Sequence, residues 1–164
     1  MKVLVTGGSG YIGSHTCIEL IKAGYEVVVV DSLYNSSIEP LKRIEKLYDC
    51  KIKFYQNDVR DEKEIRAIFN ENVFEAVIHF AGLKAVGESV LNPIEYYNVN
   101  VGGAFNIIKI MNENNCKKFV FSSSATVYGK PKHVPIKEDS ALMAANTYGR
   151  TKLMVEDFLR DISF

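Results

Sequence analysis

The sequence has little of what marks a secreted, membrane-spanning or nucleic-acid-binding chain. Three cysteines in 164 residues, Cys17, Cys50 and Cys116, are odd in number and far apart. That spacing excludes a disulfide framework and a clustered metal site. Net charge is absent as well, because twenty Lys and Arg balance twenty Asp and Glu. A polybasic footprint for nucleic acid or a membrane surface is therefore missing. No apolar run approaches the roughly 18 residues of a membrane span, and Met1–Val5 meets Thr6-Gly7-Gly8 too soon for a signal peptide. Repeats, low-complexity tracts and linkers are also missing. What remains is the expectation of a globular protein of a reducing cytoplasm. With 47% hydrophobic residues, residues 1–164 are expected to form one domain, burying roughly 70% of the surface exposed when unfolded.

What is present is an alternation of short β-rich apolar runs with helical patterns. Strands are predicted at Val3–Val5, Glu26–Asp31, Lys51–Gln56, Ala76–Phe80 and Lys118–Ser122. Helices are predicted at Tyr11–Ala23, Ile38–Tyr48, Asp61–Asn70, Pro93–Asn114 and from Thr147 to the last residue. Four consecutive valines in the second strand predict burial on both faces. Such alternation gives an α/β protein, and right-handed crossovers make a doubly wound parallel sheet of the Rossmann kind the natural topology. Ala81–Leu91 and Gly129–Asn146 are predicted as loops at the carboxyl ends of strands, where open α/β sheets bind ligands. The second loop exceeds the usual length for such a connection, which favours a functional segment. The final helical pattern still runs at Phe164, so the expectation is the front part of a longer protein.

Thr6-Gly7-Gly8-Ser9-Gly10-Tyr11-Ile12-Gly13 lies between the first strand and first helix. Gly7, Gly10 and Gly13 make a variant of the dinucleotide fingerprint. Glycine permits the tight turn, backbone approach to a pyrophosphate and close helix packing, and the helix N-terminus attracts the phosphates. The alternative is a flexible turn. Asp31 ends the second strand, eighteen positions after Gly13. Its carboxylate suits an adenine-ribose diol and repels a 2′-phosphate, and no basic residue stands in Ser32-Leu33-Tyr34-Asn35-Ser36, which favours NAD over NADP. The competing role is a turn acid capping the next helix. Asp58-Val59, after the third strand, has the position to meet the adenine, although such an aspartate is often a loop or N-cap residue.

Tyr148 and Lys152 stand at i and i+4 and share one helical face. A phenol near pKa 10 is a poor base at neutral pH, and an adjacent ammonium draws it toward the working range. Alone, such a pair is commonly just a solvated face; after a dinucleotide fingerprint it suggests proton transfer. The run Ser122-Ser123-Ser124-Ala125-Thr126-Val127-Tyr128-Gly129 leaves the fifth strand. A hydroxyl there can bond a substrate oxygen, or can serve only loop backbone groups. That second role suits Ser122 and Ser123 better than Ser124.

Together with the segment His79-Phe80-Ala81-Gly82-Leu83-Lys84-Ala85-Val86-Gly87-Glu88-Ser89, these motifs resemble the UDP-glucose 4-epimerase family, within the extended short-chain dehydrogenase/reductase superfamily. The resemblance covers essentially the whole chain. It implies a resident NAD, with Gly7, Gly10, Tyr11, Ile12, Gly13, Asp31, Ser32, Leu33, Tyr34, Asn35, Ser36, Asp58, Val59, Phe80, Ala81, Gly82, Leu83, Lys84, Tyr148 and Lys152 lining its site. Ser124, Tyr148 and Lys152 would be catalytic, and Lys84, Ser124 and Tyr148 would touch the sugar. The implied reaction interconverts UDP-galactose and UDP-glucose, in galactose metabolism, through oxidation at C4, a 4-keto sugar and return of the hydride to its other face. Family members run about twice as far, their second half gripping the uridine diphosphate, so this chain alone is expected to turn over little or no substrate. The similar nucleotide-sugar dehydratases carry an acidic pair where Ala125 and Thr126 stand here. A dehydratase, a reductase and a silent NAD-binding module are the alternatives.

Two features depart from the family pattern. Thr147 replaces the usual proline before the tyrosine, and Met143-Ala144-Ala145 is unusually apolar. Asn100 resembles the asparagine that braces such sites, or is a helical surface amide. His15 and His79 are expected to be packed and His133 solvated, with no metal site. The segment 93–114 is apolar around much of its circumference, at Ile94, Tyr96, Tyr97, Val99, Val101, Ala104, Phe105, Ile107, Ile108, Ile110 and Met111, so it is expected to be buried on more than one side. By the resemblance a homodimer is expected through this segment and the helix 147–164; the alternative is that the second half of the longer protein covers part of the surface.

Overall fold

The computed structural model describes residues 1–131 and 133–162. Five parallel strands form one sheet: β1 (Lys2–Thr6), β2 (Glu26–Val30), β3 (Lys53–Tyr55), β4 (Ala76–His79) and β5 (Lys118–Phe121), in the order β3-β2-β1-β4-β5. β1 pairs with β2 from Lys2↔Glu26 to Thr6↔Val30, and with β4 from Val3↔Ala76 to Thr6↔His79. Strand order therefore reverses between β1 and β4, the switch point at whose carboxyl ends open sheets bind ligands. The helices α1 (Tyr11–Lys22), α2 (Glu39–Tyr48) and α3 (Glu62–Glu71) follow the first three strands.

Two compact units divide the chain. The first holds Met1–Ala81 and Asn106–Ser122; the second holds Gly82–Phe105 and the described part of Ser123–Phe164. In the first unit the strand period of two sorts side chains onto two cores. Leu4, Val28, Val30 and Val77 join Ile65, Ile68 and Phe69 of α3, with Ile107, Ile110 and Met111, on one face. Val3, Val5, Val27 and Val29 join Cys17 of α1, with Leu41 and Ile44 of α2, on the other. Helices on both faces make the sheet doubly wound, and the four valines are buried on both sides as their run predicts.

The second unit departs from the sequence reading. Ala81–Leu91 is not wholly a loop, because α4 spans Val86–Leu91. Its six residues and Gly87 give too little periodicity to separate it from irregular chain. The long helical segment is interrupted. α5 (Pro93–Tyr96) runs into a π-helical stretch, Tyr97–Gly102, before α6 (Gly103–Glu113) restores the ordinary turn. A 3₁₀ turn spans Ala125–Tyr128, and α7 spans Thr147–Ile162. Ser163 and Phe164, the end of the predicted last helix, lie outside the described residues.

Most of the apolar segment is satisfied inside the chain. Tyr96, Val101, Ala104, Ile107, Ile108, Ile110 and Met111 are buried, whereas Ile94 is 84% exposed and Phe105 stays at the surface. In α7 the Phe158 ring meets Phe105 edge-on, 4.3 Å between centroids. Among the described residues, no helix is long and apolar enough to cross a membrane.

Candidate functional site

In the first unit, the loop after β1 is built by glycine. Gly7 takes φ of +69° and donates its N–H to Val30 O at 2.8 Å. A side chain there would lie 2.6 Å from Ala81 N, so only glycine lets the ends of β1 and β4 approach this closely. A Cβ on Gly13 would strike the Gly7 carbonyl oxygen and come within 2.8 Å of Gly8 Cα. α1 then starts at Tyr11 with Gly10 as N-cap, no capping side chain and no acidic residue in its first turn. No side chain caps its leading N–H groups, so these and the positive end of the dipole can meet an anion. Beside them Ser9 is buried, and its Oγ has no hydrogen-bond partner among the described residues.

Asp31 organises the neighbouring turn. One carboxylate oxygen accepts the Ser9 N–H at 3.0 Å; the other accepts from Leu33 N at 2.9 Å and Ser36 Oγ at 2.8 Å. These bonds hold Leu33 at φ of +57° and leave Tyr34 exposed. Asp31 does not cap the next helix, since α2 has Ile38 as its N-cap and no side-chain cap bond. Asp58 is gripped by Arg60 through its backbone N–H and its guanidinium, at 2.7 to 3.0 Å. Those bonds hold the carboxyl below its usual range. The N-cap of α3 is Asp61, not Asp58. The Val59 side chain belongs to the core, and its carbonyl accepts from Asn106 Nδ2 at 2.7 Å. At the end of β4, Thr6 Oγ1 lies 2.7 Å from His79 Nδ1 and accepts weakly from Ala81 N at 3.4 Å. His79 is packed and His133 exposed as expected, but His15 is exposed, its ring tilted over Tyr11 at 4.9 Å.

The second unit brings Tyr148 and Lys152 together on α7. Lys152 is only 6% exposed, and its Nζ lies 5.9 Å from the Tyr148 ring centroid. Burial pushes the ammonium down to about 8 from an ordinary 10.5. Asn100, from the π-helical stretch, is buried and not a surface amide. It accepts the Leu83 N–H at 2.8 Å, donates to Leu83 O at 3.0 Å and donates to Thr151 Oγ1 at 3.0 Å. Thr151 in turn donates to Tyr148 O at 2.7 Å. A Cβ on Gly82 would fall 2.9 Å from Asn100 Oδ1. Lys84 is exposed.

Ser124 caps the 3₁₀ turn. Its Oγ accepts from Thr126 N at 3.2 Å and from Thr126 Oγ1 at 2.9 Å. Both bonds use it as an acceptor, so its own proton is available for a ligand oxygen. The loop-serving role expected of its neighbours therefore falls partly on Ser124, while Ser123 donates to Glu156 of α7. Sequence reasoning missed that glutamate, since nothing local links positions 33 residues apart. The apolar run Met143-Ala144-Ala145 is held by its backbone: Met143 donates its N–H to Val127 O at 2.9 Å, and Met143 O packs on Gly129. Burial pushes the Cys17 thiol up to about 12 and raises Cys50 and Cys116 too, so none is a ready thiolate.

The family model described as GDP-mannose 4,6 dehydratase matches residues 4–163. UDP-glucose 4-epimerase of Bacillus subtilis is 55% identical over 99% of this chain and 48% of its own length. That of Dictyostelium discoideum is 54% identical over 98% of this chain and 47% of its own. Among solved structures, the Bifidobacterium longum UDP-glucose 4-epimerase in complex with NAD+ and UDP superposes with a TM-score of 0.96. It is 50% identical over 99% of this chain and 49% of its own. The Stenotrophomonas maltophila enzyme, with bound NAD and formylated UDP-arabinopyranose, gives 0.95 at 46% identity, over 99% of this chain and 48% of its own. The chain thus spans about half the length of the curated relatives it matches. It belongs to the family described by the GDP-mannose 4,6 dehydratase model, and the relatives it resembles there are UDP-glucose 4-epimerases.

Proposed function

We propose that residues 1–164 are the NAD-binding domain of a UDP-glucose 4-epimerase, an isomerase that interconverts UDP-galactose and UDP-glucose. The observation that carries the reading is the buried Lys152 ammonium beside the Tyr148 phenol. The residues of the first unit fit the cofactor. A Cβ would fill the glycine cradle, the α1 N-terminus is uncapped, and Ser9 keeps a buried hydroxyl without a partner among the described residues. Gly7, Gly10, Tyr11, Ile12 and Gly13 would hold the pyrophosphate, with Asp31–Ser36 and Asp58-Val59 around the adenosine. Phe80–Lys84, Tyr148 and Lys152 complete the set. NAD, when bound, supplies a hydride acceptor that also returns the hydride at C4.

Tyr148 Oη takes the proton of the sugar 4-hydroxyl and gives it back after the sugar has turned. The Lys152 ammonium, 5.9 Å from the ring centroid, supplies a positive charge beside the group that exchanges this proton. Ser124 keeps its proton and donates a hydrogen bond to the same sugar oxygen as charge develops there, and Lys84 reaches the substrate from its exposed position. Elimination of water needs a further acid and base, and Ala125 and Thr126 provide neither. That favours an epimerase over the dehydratase named in the family description. A chimera joining this chain to the remaining half of the Bacillus subtilis relative tests the assignment. It is expected to interconvert the two UDP-sugars, and Tyr148→Phe to lower its rate by about 10²–10⁴-fold. A folded, NAD-loaded chimera that is inert, or that yields a deoxy-keto sugar, overturns it.

The protein is proposed to act as a homodimer in the cytoplasm, where its three separate thiols stay reduced. Leu91, Ile94, Phe105 and Met154, on α4, α5, α6 and α7, keep exposed apolar side chains. Light scattering is expected to report a dimer at high micromolar concentration, and Ile94→Glu with Met154→Glu a monomer. A wild-type monomer under those conditions overturns the dimer.

A further inference from the structure

The first turn of a helix leaves N–H groups without intrahelical partners, and Tyr148 sits in that turn of α7. Arg150 makes the first intrahelical bond, to Asn146 O at 3.0 Å, so the N–H groups before it need other partners. Gly149 donates to Asn146 Oδ1 at 2.8 Å, a local bond. Tyr148 instead donates its N–H to Ser89 Oγ at 3.1 Å, from a residue 59 positions earlier.

Ser89 is built for that task. It is wholly buried on α4, and its own proton goes to Val86 O at 2.6 Å, which leaves its lone pairs to the Tyr148 amide. α4 is held in turn by the buried Tyr96, whose hydroxyl bonds Ala85 O at 2.8 Å and the Glu88 carboxylate at 3.0 Å. On the other side of Tyr148, Thr151 holds the carbonyl and is itself held by Asn100. Both backbone polar groups of Tyr148 are therefore gripped by side chains. The first helical position offers no substitute, because Thr147 lacks the fixed φ of a proline there.

We propose that Ser89 is a positioning residue for Tyr148, fixing the start of α7 so that the phenol keeps its distance from the Lys152 ammonium. The inference rests on the role given to Tyr148 above. Proton-transfer groups must be held within about 0.5 Å of their working geometry, and helix ends fray.

Tyrosine-ring NMR on the full chain loaded with NAD tests it, with Tyr148 assigned by Tyr148→Phe. Ser89→Ala is expected to shift the Tyr148 ring resonances, because the ring moves relative to the Lys152 ammonium. It should also speed amide exchange at Tyr148 about tenfold, while NAD affinity stays within about twofold. Ser89→Thr, which keeps the hydroxyl, should restore both. An unchanged phenol and amide in a folded Ser89→Ala, or no restoration in a folded Ser89→Thr, overturns the proposal. If Ser89→Ala does not fold, Ser89→Cys, a weaker acceptor of similar shape, must move both readings in the same direction; if it leaves them unchanged, the proposal falls. Failure of the proposed function reads differently. The wild-type Tyr148 ring resonances would then be alike with and without NAD, and amide exchange would still decide whether Ser89 holds Tyr148.

Discussion

Gly13→Ala is expected to abolish dinucleotide binding and to destabilise the protein by about 2 kcal/mol or more. The added methyl would press on the Gly7 carbonyl and lie 2.8 Å from Gly8 Cα. Every atom it meets is backbone, so no flexible side chain can swing aside. The loop itself must move, and with it the amides of Gly10, Tyr11 and Ile12 that the proposed pyrophosphate site uses. A loss of about 100-fold or more in NAD affinity, equal to about 3 kcal/mol, is the expected calorimetric result. Gly87→Ala is the matched control, because nothing lies within 4 Å of its added carbon. It sits within α4, where alanine stabilises by up to about 1 kcal/mol over glycine. Wild-type affinity in Gly13→Ala would remove the glycine loop from the cofactor site.

Lys152→Met is expected to stabilise the protein at neutral pH while ending its proposed catalysis. Burial lowers the ammonium from 10.5 to about 8. At about 1.4 kcal/mol per pH unit, the native state carries a penalty of about 3 kcal/mol when both states are protonated. The sign follows from the protons. Below pH 8 native and unfolded chains both hold this proton and the penalty is complete. Between pH 8 and 10.5 the native lysine is neutral and the unfolded one charged, so wild-type stability gains on the variant as pH rises. Above 10.5 the penalty is gone. The variant should therefore melt higher than wild type at pH 7, by several degrees, and the gap should close toward pH 10.5. Other titrating groups cancel in the difference between the two proteins. A gap independent of pH would show that the charge is not the cause.

Much of this arrangement can be read from the sequence because it rests on local rules. The valines of β2, the glycines around Gly10 and the i, i+4 spacing of Tyr148 and Lys152 each carry their meaning within a few residues. The parts that escape are of two kinds. α4 is short and holds Gly87, so its apolar positions do not repeat often enough to declare a helix. The π-helical stretch leaves no mark in a pattern of apolar residues, yet it supplies Asn100. Ser89 with Tyr148, and Ser123 with Glu156, are paired only by tertiary contact. His15 is exposed where packing is expected, because it stands on the face of α1 that also carries the exposed Tyr11, Ile12 and Glu19. Ser124 shows a limit of the either-or reading, because one hydroxyl serves the backbone as an acceptor and keeps its proton for a ligand.

The strand order also has a consequence for how the molecule is made. β1 is synthesised first, yet one of its edges pairs with β2 and the other waits for Ala76–His79. At roughly 5–20 residues per second on the ribosome, that second edge stays bare for several seconds after β2 has emerged. During this interval an apolar strand with open backbone groups is a template for pairing between nascent chains. The yield of native protein on overproduction should therefore rise when a holdase chaperone is supplied.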